Sequence, residues 1–209
     1  MNLEQTTAAH LLKINAVKLQ PEKPFTWASG WLSPIYCDNR KTLSFPAVRS
    51  FIKSELANLV KTKYPEAEVI AGVATGAIAH GILVADLLGL PFVYVRSAAK
   101  DHGLENLVEG DLKIGQKVVV IEDLISTGGS SLKAVEALRS AGAKVLGMLA
   151  IFTYGFAQAT EKFLNGKVEL YTLCNYDAII AKAVEMNYIS ENQIEILKKW
   201  RENPQEYGT

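Results

Sequence analysis

The chain has few cysteines, and the two that are present do not suggest a disulfide or a metal site. Cys37 and Cys174 are far apart in a sequence of 209 residues, and neither belongs to a paired-cysteine motif. Zinc and redox motifs use closely spaced cysteine pairs, and disulfide-stabilised folds use several cysteines. We therefore expect two reduced thiols in a cytoplasmic protein.

Long apolar runs and an excess of one charge are also missing. No apolar segment approaches the ~20 residues of a transmembrane helix. Residues 1–5 lack the basic start and apolar continuation of a secretory signal. Lysine and arginine together number 22, as do aspartate and glutamate together, which argues against a strongly basic nucleic-acid-binding surface. The sequence thus predicts a protein that binds neither a membrane nor nucleic acid.

Apolar residues make up 49% of the chain, which is enough for a sizeable core in a single domain of residues 1–209. Apolar runs alternate with segments of helical periodicity, which predicts an α/β fold with a mostly parallel sheet. Ligands of such sheets bind beyond the carboxyl ends of the strands. The predicted strands are 68–74, 91–95, 117–121, 145–152 and 168–173; the predicted helices begin near residues 46, 76, 130, 156 and 190; residues 97–109 are expected to form a loop.

The most informative segment joins a strand to a helix. Residues 118–121 are four β-branched apolar residues, as in a central parallel strand buried on both faces. Glu122 and Asp123 follow, and then come a small-residue turn and a helix. The turn amides and the helix dipole would hold a phosphate, while the carboxylates would accept hydrogen bonds from ribose hydroxyls. The turn consists of Ser126, Thr127, Gly128, Gly129 and Ser130.

Other interpretations of this segment stay open. The turn could be an ordinary strand-to-helix connection with serine and threonine capping, and the acids could hold magnesium or simply be solvated. Adjacent strand residues face opposite ways. We therefore expect only one carboxylate at a time to point directly at the ribose, unless the strand end twists enough to bring both near.

Two more loops contain candidate ligand-binding groups. Residues 72–77 follow a predicted strand, and their amides could meet an anion, although a packing turn is the simpler interpretation. Residues 96–110 combine three potential cations with two glycine pivots. These cations could meet an anion, and closure of the loop would exclude water; a solvated surface loop is the alternative. The cations are Arg96, Lys100 and His102, and the pivots are Gly103 and Gly110.

Residues 25–40 form an aromatic, turn-rich segment that contains Trp27, Trp31 and Tyr36. These aromatic side chains could anchor an N-terminal cap to the core. They could equally offer apolar faces to a planar ligand whose edge makes a few hydrogen bonds.

The sequence resembles a known family at these segments. Residues 118–131 are similar to the phosphoribosyl diphosphate (PRPP) signature of the type I phosphoribosyltransferases, in which an apolar strand, two acids and two apolar residues precede a Thr/Ser-Gly-rich turn. Residues 25–36 and 96–103 are similar to the orotate-specific members of that family. The resemblance extends from about residue 18 to residue 154.

The resemblance implies the type I phosphoribosyltransferase fold, with a mostly parallel twisted sheet flanked by helices and a small cap from residues 1–40 that recognises the base. It also implies a magnesium-dependent transfer of the 5-phosphoribosyl group from PRPP to N1 of orotate, giving orotidine 5′-monophosphate and pyrophosphate in UMP biosynthesis. The loop of residues 97–109 would be shared across the subunits of a homodimer.

The same resemblance suggests roles for individual residues. Lys100, His102 and Asp123 are the expected catalytic residues. Mg²⁺ would be held mainly through PRPP and water, since magnesium keeps several waters and no carboxylate cage is visible. The residues expected to bind orotate are Tyr36, Arg40, Ser126 and Tyr154; those expected to bind PRPP are Ala74, Thr75, Gly76, Arg96, Lys100, His102, Glu122, Asp123, Leu124, Ile125, Ser126, Thr127, Gly128, Gly129 and Ser130.

Three positions depart from one branch of the family, and each lacks a positive charge near an anionic ligand. Ala28 and Ser97 occupy places of basic residues, and Tyr154 stands where an arginine would approach the orotate carboxylate. Our hypothesis is that Arg40 supplies the missing cation.

Two other functions are possible on this fold. A purine phosphoribosyltransferase would carry its base-recognition region after the signature, whereas this chain has the aromatic cap before it. A PRPP-sensing regulator that binds RNA or DNA would show a basic face or an added segment, and the balanced charge counts against it.

Overall fold

The computed structural model describes residues 2–27, 30–97, 107–205 and 207. The strands are β1 Val17–Leu19, β2 Phe25–Thr26, β3 Leu32–Ser33, β4 Ile35–Cys37, β5 Val69–Val73, β6 Phe92–Val95, β7 Val108–Glu109, β8 Lys117–Ile125, β9 Lys144–Thr153 and β10 Leu170–Asn175. The α-helices are α1 Leu3–Lys13, α2 Pro46–Lys63, α3 Ile78–Leu88, α4 Gly129–Ser140, α5 Ala157–Asn165, α6 Tyr176–Glu185 and α7 Ile194–Glu202. Short 3₁₀ helices cover Asn39–Ser44 and Glu191–Gln193.

A six-stranded sheet lies at the centre of the described structure, in the order β10-β9-β8-β5-β6-β7. Neighbouring strands from β10 to β6 pair in parallel, and β7 pairs antiparallel with β6 at one edge. Parallel neighbours need long crossover connections, which here contain helices. The predicted α/β fold with a mostly parallel sheet is therefore confirmed.

β8 lies between β5 and β9 and is buried on both faces, as its unbroken apolar run predicts. Residues 118–121 have no exposed surface. Because strand side chains alternate between faces, Val119 and Ile121 pack into one core with α2, while Val118 and Val120 pack into a second core with α4. Burial of one such side chain contributes roughly 1.5–3 kcal/mol, so β8 is held firmly where the acids begin.

Several predicted boundaries are wrong, and the causes are local. β8 continues to Ile125, four residues beyond the prediction, because β9 extends beside it and pairs Phe152 with Leu124. The helix after β5 begins at Ile78, since residues 74–77 form a turn. Part of the predicted 97–109 loop is strand β7, which pairs with β6. The last helix, predicted to begin near residue 190, starts as the 3₁₀ turn Glu191–Gln193 and becomes α-helical only at Ile194. The remaining differences shift the ends of elements by one or two residues: α4 begins at Gly129, and β10 is Leu170–Asn175.

The sequence pattern predicts neither α1 nor α6, which pack against each other. Both have an asparagine N-cap: Asn2 accepts a hydrogen bond from the Gln5 amide, and Asn175 accepts one from the Ala178 amide. Asn175 Nδ2 also donates to Glu4 at 2.8 Å, which links the two helices. The apolar face of α1 is too narrow to produce a recognisable helical pattern in the sequence. The helix α6 is recognised only from its burial in the folded structure.

Strands β1–β4 form the cap as two small antiparallel sheets, β1 with β4 and β2 with β3. The last helix supports this cap, because Trp200 Nε1 donates to the Leu32 carbonyl at 3.2 Å. Ser190 and Gln193 form a capping box at the turn that leads into α7. Among the described residues, no helix combines the length and apolar character needed to cross a membrane.

Candidate active site

Two cavities open side by side at the carboxyl ends of β5 and β8. We call the first the acidic cavity; it encloses about 420 Å³ between Asp38, residues 73–76, residues 122–124, residues 126–128 and Ser130. Ile125, which was expected to bind PRPP, is 0% exposed and does not line it. The second, the aromatic cavity, encloses about 480 Å³ and is lined by Trp27, Trp31, Tyr36 and Tyr154. The residues that line both cavities are Cys37, Leu124, Ser126 and Thr127. A ligand that filled both would have one end among acids and small residues and the other among aromatic rings.

The turn between β8 and α4 is shaped to receive an anion. Gly128 has φ +76°, and a Cβ atom there would also meet the Phe163 ring at 3.0 Å, so the turn needs glycine. No side chain caps the start of α4. Its first backbone amides therefore remain available, and the positive end of the helix dipole favours a negative ligand.

The two acids of β8 lie in different environments. Glu122 is 5% exposed; its Oε2 accepts a hydrogen bond from Ser131 Oγ at 3.0 Å, and its Oε1 accepts one from the Asp123 amide at 2.9 Å. Burial, and next the charge of Asp123, raise the pKa of Glu122 well above its ordinary value. Asp123 is less buried and also lines the acidic cavity. The more exposed Asp123 carboxyl is therefore the more accessible of the two.

The raised pKa of Glu122 predicts how stability depends on pH. Above its ordinary pKa of 4.5 the unfolded chain loses this proton while the folded chain keeps it, so the Glu122 contribution to the unfolding free energy falls as pH rises. Glu122→Gln removes this penalty. We therefore expect the unfolding free energy of Glu122→Gln minus that of wild type, measured by urea unfolding, to be larger at pH 8 than at pH 5. A difference that does not change with pH would contradict this reasoning.

Asp123 is packed closely against the loop that follows β5. A Cβ atom on Gly76 would overlap the Asp123 carboxyl group, so only glycine leaves room for the acid. The peptide bond between Ala74 and Thr75 is cis. On its other side, Asp123 receives a hydrogen bond at its backbone carbonyl from Asn39 Nδ2. Sequence reasoning missed Asn39, because a single asparagine in a turn-rich segment carries no distinctive signal.

The aromatic cavity is built by rings from three parts of the chain. Trp27 and Tyr154 lie with ring centroids 5.2 Å apart, and Trp200 of α7 contacts both, at 5.6 and 5.8 Å. Tyr154 is 2% exposed, and burial raises the pKa of its phenol, which keeps the group uncharged. Tyr36 is 40% exposed at the rim. Trp200 is 0% exposed and packs behind Trp27 and Tyr154, a support that sequence reasoning missed.

The predicted cations are not gathered in one place among the described residues. Arg40 lines the acidic cavity and pairs with Asp38 at 2.7 Å, with its side chain 61% exposed. Arg96 lines a neighbouring cavity of about 740 Å³ beside α4 and lies 3.6 Å from Glu109. Its Nη1 atom is buried without a hydrogen-bond partner in the described part of the chain. Lys100, His102 and Ala28 lie outside the described residues.

Comparisons with known proteins point the same way as this geometry. Residues 43–181 match the family model of the phosphoribosyl transferase domain. Orotate phosphoribosyltransferase of Porphyromonas gingivalis is 60% identical over 206 residues, which cover 99% of this chain and 98% of that protein. The enzyme of Listeria monocytogenes is 55% identical over 208 residues, which cover both chains fully. The crystal structure of orotate phosphoribosyltransferase from Aeropyrum pernix has a TM-score of 0.76 at 30% identity, covering 88% of this chain and 99% of that one.

The match to the family model and the similar solved structure place the chain in the type I phosphoribosyltransferase class. Within this class, its full-length similarity to relatives of 55–60% identity makes it a member of the orotate phosphoribosyltransferases. The resemblance seen at residues 18–154 is therefore confirmed, and it extends over the whole chain.

Proposed function

We propose that this chain transfers the 5-phosphoribosyl group of PRPP to N1 of orotate, giving orotidine 5′-monophosphate and pyrophosphate in pyrimidine biosynthesis. The observation that carries the proposal is the junction of the two cavities. An anion-binding turn and an accessible carboxylate line one cavity, and aromatic rings line the next. Ser126 and Thr127 line both, so a sugar phosphate and a planar base could meet there.

The donor occupies the acidic cavity in this proposal. Its 5′-phosphate binds the amides and hydroxyls of residues 126–130, and Asp123 accepts hydrogen bonds from the ribose hydroxyls. The buried Glu122 supports Asp123 by accepting a hydrogen bond from its amide. Residues 74–76, which lie next to the Asp123 carboxyl group, would contact the pyrophosphate.

The base occupies the aromatic cavity. Trp27, Tyr154, Tyr36 and Ser126 line this cavity. The first two would offer ring faces to the pyrimidine, and the last two would meet its edge. Of the described residues that line this cavity, none is lysine or arginine. The orotate carboxylate would therefore need a cation from a neighbouring segment, and Arg40 on the adjacent wall is our candidate.

Catalysis would depend on charge and position rather than on a covalent intermediate. Magnesium bound with PRPP would add positive charge to the leaving pyrophosphate. No group of three or more histidine, cysteine or acidic side chains among the described residues is arranged to hold a metal ion. Mg²⁺ would therefore be held mainly through PRPP and water, and a carboxylate of the acidic cavity could supply a single further ligand.

The remaining parts of the proposal concern the cations and the assembly. Lys100 and His102 would stabilise the negative charge on the departing oxygens. The loop of residues 97–109 would close over the site of the neighbouring subunit in a homodimer and exclude water. We also propose that the enzyme works in the cytoplasm.

The direct test is the absorbance of orotate on addition of PRPP and Mg²⁺. We expect orotate to be consumed only when both are present, with one pyrophosphate released per orotate. Turnover of a purine base without consumption of orotate would contradict the proposed acceptor. Absence of any turnover, with salt-sensitive binding of nucleic acid, would contradict the proposed enzyme class.

Replacement of Arg40 should weaken the binding of orotate but not that of PRPP. Its ion pair with Asp38 lies at the surface, where such pairs contribute about 0–1 kcal/mol, so the guanidinium can turn to a stronger partner. We expect Arg40→Ala to raise the KM for orotate by about tenfold or more, as for loss of a hydrogen bond to a charged group. Initial rates at varied orotate and at varied PRPP would measure this.

Lys41→Ala is the matched control, because Lys41 is the next cation along the chain, outside both cavities, and donates to the Asn15 carbonyl. If Arg40→Ala leaves the KM for orotate unchanged, or raises only the KM for PRPP, then a cation other than Arg40 binds the orotate carboxylate.

A further inference from the structure

Asn39 is a fully buried polar residue at the wall of the acidic cavity. Its neighbours Cys37, Asp38 and Arg40 line the cavity, whereas Asn39 itself is 0% exposed and turns into the protein. Buried amides need hydrogen-bond partners. The partner of Asn39 Nδ2 is the backbone carbonyl of Asp123, 84 positions further along the chain. The side chain thus joins the cap directly to the end of β8.

A chain of buried polar groups holds Asn39 in place. Its Oδ1 accepts a hydrogen bond from Cys37 Sγ at 3.4 Å, and its carbonyl accepts one from Thr42 Oγ1 at 2.6 Å. Thr42 Oγ1 also lies 3.3 Å from His80 Nε2 on α3. Thr42 is 0% exposed and His80 2% exposed. Asn39 is therefore fixed by its own segment and by the helix that follows the loop of residues 74–77.

Asp123 is consequently restrained on three sides. Its amide donates to Glu122, its carbonyl accepts from Asn39, and its carboxyl group rests against Gly76. Of these three restraints, only the one from Asn39 originates in the cap. Loss of the Asn39 side chain would leave a partly buried carbonyl without this donor and would free the end of β8 to shift.

We propose that Asn39 is a positioning residue that sets the Asp123 carboxylate relative to the ribose of the donor. The inference rests on the proposed function, in which Asp123 binds the ribose hydroxyls. It predicts a selective defect: ligands that contain ribose should bind more weakly, while binding of the phosphate to residues 126–130 should be preserved.

The test is calorimetric titration of the full chain with PRPP, ribose 5-phosphate and inorganic phosphate. We expect Asn39→Ala to weaken the affinity for PRPP and for ribose 5-phosphate by about tenfold, which is the scale of a lost buried hydrogen-bond partner. The affinity for phosphate should fall by less than twofold. Ser33→Ala is the matched control, since Ser33 is also a 0% exposed polar residue of the cap, but it bonds Ile35 rather than Asp123. The control should keep all three affinities.

A double-mutant cycle separates positioning from general damage. If Asn39 acts through Asp123, the double variant Asn39→Ala/Asp123→Ala should bind PRPP less than threefold more weakly than Asp123→Ala alone. Fully additive losses of PRPP affinity in the double variant would overturn the inference, as would equal losses of phosphate affinity and PRPP affinity in Asn39→Ala. So would a PRPP affinity of Asn39→Ala within threefold of wild type.

Thr42→Val provides a milder variant should Asn39→Ala not fold. It keeps the side-chain shape and removes the hydroxyl that holds the Asn39 carbonyl, and we expect the same selectivity with about a threefold effect on ribose ligands. An unchanged ratio of ribose 5-phosphate to phosphate affinity in this variant would overturn the inference. Failure of the wild-type chain to bind PRPP would instead contradict the proposed function, from which the inference follows.

Discussion

Asp123→Asn is expected to lower kcat/KM for PRPP by about 100-fold or more. The substitution keeps the size of the side chain and its backbone contacts but removes the negative charge that faces the acidic cavity. In the proposed mechanism, positive charge that develops on the ribose as pyrophosphate departs would lose a preorganised carboxylate, and loss of one such group costs about 10²–10³ in rate. Initial rates of orotate consumption at varied PRPP would measure the effect.

Asp86→Asn is a suitable control for this substitution. Asp86 is an exposed carboxylate on α3 that lines neither the acidic nor the aromatic cavity, so its amide should retain wild-type kinetics. An Asp123→Asn effect below about threefold, in protein with an unchanged melting temperature, would remove Asp123 from the catalytic role.

Gly76→Ala should produce a loss of similar size through the same acid. The new methyl group would occupy the space of the Asp123 carboxyl group, and one of the two must move. A displacement of about 1 Å at a reacting centre can cost about 100-fold in rate. We expect kcat/KM for PRPP to fall by about that factor, measured with the same assay of orotate consumption.

The double variant Gly76→Ala/Asp123→Ala tests this explanation. The three atoms nearest to the added methyl group all belong to the Asp123 carboxyl group, so with that group absent the double variant should be no worse than Asp123→Ala alone. A further loss of tenfold or more would mean that Gly76 acts independently of Asp123, through the shape of the loop itself.

The selective effects expected at Asp123, Gly76 and Asn39 share one physical cause. The acid stands at the end of a strand whose residues 118–121 are fully buried, so its backbone is placed with little freedom. Its side chain is then confined between a glycine loop and the cap. Rigid placement of a charge before the substrate arrives is how a protein stabilises a charged transition state without reorganising.

The central strand and the turn after it could be predicted from the sequence because both depend on local chemistry. Four β-branched residues followed by acids and small residues have few other structural solutions, and β8 and α4 lie where this pattern places them. The end of β8 at Ile125 could not be predicted, since it depends on pairing with β9. The helices α1 and α6 were missed because each is defined by packing against the other.

Among the candidate site residues, sequence reasoning singled out the acids, the small-residue turn and the aromatic cap residues that line the two cavities. It could not find Asn39 or Trp200, because their partners Asp123 and Trp27 are distant along the chain. It also could not tell that Glu122 is the buried acid and Asp123 the accessible one, since alternation along a strand says that neighbours differ but not which faces the cavity.

The sequence by itself determined the class of fold, the place of the small-residue turn after β8 and the family, because these follow from short patterns of hydrophobicity, charge and small residues. Only the tertiary structure decided which acid is the more exposed, how the last helix packs behind the aromatic rings of the cap, and what holds Asp123 in place. These features arise from contacts between segments that are far apart along the chain, and the free energy of such contacts depends on burial and distance rather than on neighbouring residues.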